Sequence, residues 1–375
     1  MTKKILTHQI GHLIRIGFAA CTVTLMTAVA THAGVVHNSV ALPINIQPKT
    51  PPETPYIREG VQVIRKLNAE NFEALNSEAD FYLTNKSRGA DGRWRLSEFF
   101  STLSSYFSTT KKNTTAWTLL QKQLLNNALK NSKSQGAWLM HASALDAEAW
   151  RIRGDGYNNT TTSIGRARFL RLLEAQRKVL DGHTELFVKN PEWYKQRMEV
   201  ALYLSEGREK IDQLFQSGIQ VERDYHDLYH VAMFTRLPKW GGSIDLMAQF
   251  LDQVANNPSP REGISMYSLL MIDNLNAAYE LRKDPRVSWD LMKKSFDDVL
   301  ANFPDDQHSQ KFFIAACEKG DKATAVRMSK FVKHAPSSEI LGKNVEAFNS
   351  CFEWAFNNAL MYSRDPNTGA GVLIK

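Results

Sequence analysis

The stretch Tyr225-His226-Asp227-Leu228-Tyr229-His230-Val231-Ala232-Met233-Phe234-Thr235-Arg236-Leu237-Pro238-Lys239-Trp240-Gly241-Gly242-Ser243, running on from Ile244 to Ala255, decides the fold. Apolar residues recur through its first part at helical spacing until Pro238, which has no amide donor and stops the helix. Gly241 and Gly242 make the corner, since residues without a Cβ accept backbone angles and close approaches that others do not. Ser243 is placed to cap a second helix, with Asp245 near the positive end of that helix's dipole. The stretch predicts a helical hairpin.

Further units of the same kind follow on either side. Gly207 and Gly241 stand 34 residues apart, Phe215 and Phe250 35, and Pro304 and Pro336 32, at comparable points of helix-turn-helix units. Such a period is that of a tetratricopeptide-like α-solenoid, in which each hairpin buries its apolar face by stacking on its neighbours. Ser309 to Pro336 is the clearest unit. A last amphipathic helix, Glu339 to Tyr362, caps the stack, and residues 366–375 read as a loose tail. Towards the N-terminus helical periodicity covers Gly60–Leu67, Ala69–Asn85, Trp94–Phe107, Thr114–Leu129, Gly136–Arg153 and Ile164–Val188. The polar loop Gly154 to Thr162 reads as a linker between an N-terminal helical region, 56–162, and a repeat region, 163–365. The fold class expected is all-α.

The front of the chain is of another character. Lys3, Lys4 and Arg15 precede an uncharged apolar run, Ile16 to Ala30, and small residues follow at Ala28, Ala30 and Ala33. This is the pattern of a secretory signal peptide, 1–33, cleaved near Ala30 or Ala33. The run is close to the length of a membrane span, so the alternative is an inner-membrane anchor. Residues 34–55 form a Pro-rich arm, extended rather than helical. The protein is thus expected in the periplasm or secreted, touching membrane only through the N-terminal signal where that is kept.

The chain holds 46 Lys or Arg against 39 Asp or Glu, net +7. Residues 1–33 contain three of the bases and none of the acids, which leaves 43 against 39, net +4. With no basic run interleaved with aromatics, nucleic acid is not an expected partner. Cys317 and Cys351 are the cysteines beyond the signal; an oxidising compartment permits a disulfide between them, and two buried free thiols fit the helical pattern equally well.

Few residues suggest chemistry. His226 and His230, four apart on a helix, place two imidazoles on one face at metal-ligand spacing. With Asp227 they resemble a zinc-protease signature whose general-base Glu has lost a methylene, and no third ligand follows at a familiar spacing. Gly154-Asp155-Gly156 is too short for a nucleotide or calcium loop, and neither a P-loop nor a Gly-x-Ser-x-Gly elbow occurs. Nothing calls for a cofactor. Pro238, Trp240, Gly241, Gly242 and Ser243 read as architecture, with an anion site at the amides of the next helix as the runner-up.

The Leu237 to Ser243 corner resembles that of a bacterial domain-of-unknown-function family of tetratricopeptide-like helical proteins, in which Leu-Pro-(Arg/Lys)-Trp-Gly-Gly-Ser recurs. The resemblance also takes in Asp91-Gly92-Arg93-Trp94-Arg95-Leu96, Ala149-Trp150-Arg151-Ile152-Arg153-Gly154 and the approach Tyr225 to Tyr229, and so spans roughly Asn68 to Ala255. It implies a fold and no activity. The expected function is a non-catalytic scaffold that binds a protein or peptide in the bacterial envelope. The alternative is a metal-dependent hydrolase using His226 and His230, and a third reading has the N-terminal arm tether the helical body near the inner membrane.

Overall fold

Ser134, Thr162, Ser243, Ser288, Asp305 and Asp321 each accept, at 2.9–3.2 Å, the backbone N–H three residues on. These caps satisfy amides that the first helical turn leaves without partners, and they fix where the helices start. The computed structural model describes residues 55–374 apart from 110–113, 155–160, 273–278, 337–340, 342–343, 358–360 and 365–370. The expected signal peptide, nearly all of the Pro-rich arm and most of the Gly154 to Thr162 loop lie outside the described residues.

The N-terminal helices are α1 (Pro55–Asn68), α2 (Phe72–Asn85), α3 (Arg95–Thr109), α4 (Thr114–Lys130) and α5 (Gln135–Arg153). Then come α6 (Ser163–Gly182), the short α7 (Thr184–Phe187), α8 (Pro191–Tyr203), α9 (Arg208–Val221) and α10 (His226–Thr235). A 3-10 turn at Pro238–Trp240 leads to α11 (Ile244–Asn256), α12 (Ser265–Ile272), α13 (Tyr279–Lys283), α14 (Trp289–Asn302), α15 (Asp306–Glu318), α16 (Lys322–Ser329) and α17 (Val345–Asn357). The body is all-helical, as its periodicity predicts.

Three boundaries differ from the sequence expectation. The long helix expected over Ile164–Val188 breaks at His183, whose ring lies 3.8 Å from that of Trp138. The last helix stops at Asn357. Beyond it β1 (Met361–Arg364) pairs antiparallel with β2 (Gly371–Ile374), so a two-stranded ribbon takes part of the expected tail.

Helices α2, α3 and α4 pack around α5, which leads through α6 to α8. From there α8, α10, α12, α15 and α17 touch in succession, and α9, α11, α14 and α16 pack against them. Among the described residues the main apolar core runs from Val63 to Ala355 and takes in residues on both sides of the linker expected at 154–162, while Ala149, Phe169 and Leu173 form a small second cluster where α5 meets α6. Cys317 of α15 and Cys351 of α17, both fully buried, are joined as a disulfide with their Cα atoms 5.8 Å apart.

The segment between α2 and α3 makes the longest-range contacts. Lys86 turns the chain out of α2 with φ +50. Ser87 to Arg95 then folds on itself, Gly89 N–H donating to Arg93 O at 2.7 Å and Arg95 N–H to Ser87 O at 2.8 Å. This loop docks on the corners between α9 and α10, α11 and α12, and α14 and α15. Trp94 packs edge-on against Tyr225, and a Cβ on Gly92 would meet the Phe303 ring at 2.6 Å, so only glycine fits there.

Candidate functional site

Glu192, Lys195 and Glu199 sit three and four residues apart on α8 and so share one face. Lys195 Nζ lies 3.6 Å from Glu192 Oε1 and 3.3 Å from Glu199 Oε2. Tyr225, just before α10, donates its hydroxyl to Glu192 Oε2 at 2.6 Å. Gln196 Nε2 donates to Glu192 Oε1 at 3.0 Å and to Ser143 Oγ of α5 at 3.1 Å. Asp227 of α10 accepts from the Ser97 hydroxyl of α3, and Arg93 Nη2 approaches its other oxygen to 4.0 Å. A seam of charge is thereby enclosed between α3, α8 and α10. The Arg93 side chain is 40% exposed and brings this network to the surface.

Burial sets the proton affinities in the seam. It pushes Glu199 up to about 7 against the pull of Lys195, and raises Glu192 as well. Burial pulls Lys195 the other way, but Glu192, Glu199 and Asp227 outweigh it and the ammonium is held charged. Asp227 is buried too, yet Arg93, Lys195, His230 and Ser97 bring its carboxyl below the ordinary range. In the first turn of α3, burial and then Asp91 raise Glu98 to about 7. The arrangement therefore holds a fixed cation beside a carboxyl that exchanges its proton near neutrality.

The His226 and His230 pair is drawn into different surroundings. His226 is buried, with Nε2 2.7 Å from Glu262 Oε2 and its ring 6.0 Å from that of Phe303. His230 is half-buried and acts on Asp227, in the seam. Among the described residues no group of three or more His, Cys, Asp or Glu is arranged to hold a metal ion. Glu262 is also bound by Arg88 Nη1, while Arg88 Nη2 and Trp94 Nε1 both donate to Asp224 O at 3.1 Å. Ser259 Oγ donates to Asp224 Oδ1 at 2.5 Å. His226 is thus one member of the node that receives the Ser87–Arg95 loop.

At the corner, Pro238 opens the 3-10 turn and Gly241 has φ +77. A side chain on Gly242 would run into the carbonyl of Arg236, and Ser243 Oγ accepts from Leu246 N–H at 3.1 Å. Trp240 packs 5.6 Å from Phe234 and 5.7 Å from Tyr203, whose other side meets Trp150 at 4.9 Å. Aromatic contact therefore links the Ala149–Gly154 stretch to the corner, as Trp94 and Tyr225 link Asp91–Leu96 to the approach.

Glu192, Lys195, Glu199 and Ser97 belong to the seam and Arg88 and Glu262 to the loop-bound node, and sequence reasoning passed over all six. The signal for the first three was the cap at Asn190-Pro191, which phases α8 and puts charge at the spacing where a repeat helix is expected to be apolar.

Fold and site define a protein with an all-helical body whose helices enclose a charged seam and a second, loop-bound polar node. No family model, curated protein or solved structure matches the chain.

Proposed function

We propose that the chain is an exported helical-repeat protein, built of tetratricopeptide-like hairpins, that holds a protein or peptide partner in the bacterial envelope without catalysis of its own. The observation that carries the reading is the succession α8, α10, α12, α15, α17, each touching the next with intervening helices packed against it. Stacked hairpins of this kind present an extended face to a partner. Likeness of the corner to the tetratricopeptide-like bacterial family points the same way and brings no activity with it. The N-terminal sequence supports export, and among the described residues no helix is long and apolar enough to cross a membrane. A disulfide between Cys317 and Cys351 suits an oxidising compartment.

The hydrolase reading has less support, because Glu262 occupies His226 Nε2. Both readings are tested together by pull-down of the protein from envelope extract, with metal analysis of the same sample. The scaffold reading expects a stoichiometric partner that Arg93→Glu, at the exposed end of the seam, releases, and no bound metal. Stoichiometric zinc that His226→Ala abolishes, with no partner, would overturn it.

A further inference from the structure

Between Glu98 and Asp146 the sequence contains five lysines, Lys111, Lys112, Lys122, Lys130 and Lys133, and no Asp, Glu or Arg. Helix α4 lies in this stretch and is apolar on two sides. Trp117, Leu120, Leu124 and Ala128 are buried against the core. On the outer side Leu119, Leu125 and Leu129 are 54%, 37% and 59% exposed. At 100° per residue these leucines lie within an arc of about 120–140° that also holds Lys122, Lys130 and the uncharged polar residues Thr115, Thr118 and Asn126. Lys133, just past the helix, is exposed as well. Asp80 of α2, which reaches the α4–α5 loop, is already engaged by Ser134 Oγ at 3.1 Å and Gly136 N–H at 3.3 Å.

Three leucines exposed on one helical face, set among lysines with no carboxylate in 47 residues of sequence, match a surface that is apolar inside and anionic outside. Two copies of this face brought together would oppose lysine to lysine, which counts against a symmetric dimer. At 17 residues with two lysines the helix is suited to lie on a bilayer rather than span it. We infer that the outer face of α4 docks on the surface of a membrane containing anionic lipid, leucines entering the headgroup boundary and lysines meeting the headgroups. This is a contact separate from the N-terminal signal.

The test is flotation of the full chain with vesicles of phosphatidylcholine alone or mixed equally with phosphatidylglycerol, together with hydrogen exchange. Every variant keeps the same N-terminus, so any contribution of residues 1–33 cancels in the comparison. The native protein should prefer the anionic vesicles, lose that preference in high salt, and show slowed exchange over Thr114–Lys130 when bound. K122Q/K130Q/K133Q should weaken anionic binding by roughly a hundred-fold, at about 1 kcal/mol per lysine. L119N/L125N/L129N should weaken binding to all vesicles by at least about ten-fold, since it removes the inserted apolar area. If the leucine variant unfolds, the lysine variant alone decides. Equal binding by native and lysine variants, or unchanged exchange over α4, would overturn the inference. So would a dimer that the leucine substitutions dissolve, seen without vesicle binding.

Discussion

A methyl group added at Gly242 would be driven onto the Arg236 carbonyl, which is backbone and has nowhere to go. Gly242→Ala should therefore cost on the order of 3 kcal/mol, the range for a strained special position, read as a lowered midpoint in urea. Glu199 gives a prediction of another kind. Burial holds its carboxyl near 7 where the ordinary value is 4.5, so the folded chain keeps a proton that the unfolded chain releases. Stability from this group is fully present below about 4.5 and is lost as pH rises through 7. Glu98 acts in the same direction, whereas Asp227 and Glu262, both depressed, withdraw their stability only as the solution becomes acidic. Glu199→Gln should make the fall in stability between pH 5 and 8 shallower. A slope identical to that of the native chain would mean that the carboxyl ionises normally in the seam.

At the scale of elements, helix type and most helix starts were legible, because a cap such as Ser243 acts within three residues of itself. The turn and cap at Pro238–Ser243 were legible for the same reason, but the hairpin expected there is not what forms, since α11 packs on α12 and α13 and α10 on α8, α9 and α12. The seam was not legible. Spacing places Glu192, Lys195 and Glu199 on one face of α8, but nothing local says that this face meets Ser97 and Asp227 rather than water. His226 and His230 show the converse, since helical spacing pairs them while Glu262, 36 residues further on, settles where His226 points. The break at His183 is also tertiary in origin, being tied to the Trp138 ring. The disulfide joins α15 to α17 across 34 residues. Closing a loop of that length stabilises by about 4 kcal/mol in the chain-entropy account. Reduction, or C317S/C351S, should lower the unfolding midpoint accordingly and first release exchange protection in Val345–Asn357.

For the whole molecule, the loop from Ser87 to Arg95 determines how unfolding proceeds. Arrays of hairpins in contact only with their neighbours can lose units from an end. Here Arg88 joins Glu262 and Asp224, Lys86 pairs with Glu222 at 2.6 Å, and Trp94 is bonded to Asp224, so the N-terminal helices are tied to corners well along the chain. Arg88→Ala leaves Glu262 buried with His226 alone and should cost about 3–5 kcal/mol. It should also turn one urea transition into two, with exchange rising in Ser87–Arg95 and in Asp224–His226 together. A single transition in the variant, with exchange confined to the loop, would show that the loop is not what couples the halves.

The same tie has a consequence for the order in which the chain is made. Trp94 leaves the ribosome 130 residues before Asp224, and Arg88 precedes Glu262 by 174. Until those corners exist, an indole that will be fully buried and a guanidinium that will be paired have no native place to go. Closure across the whole length, rather than the making of any one turn, is therefore the step expected to be slow in acquiring this fold.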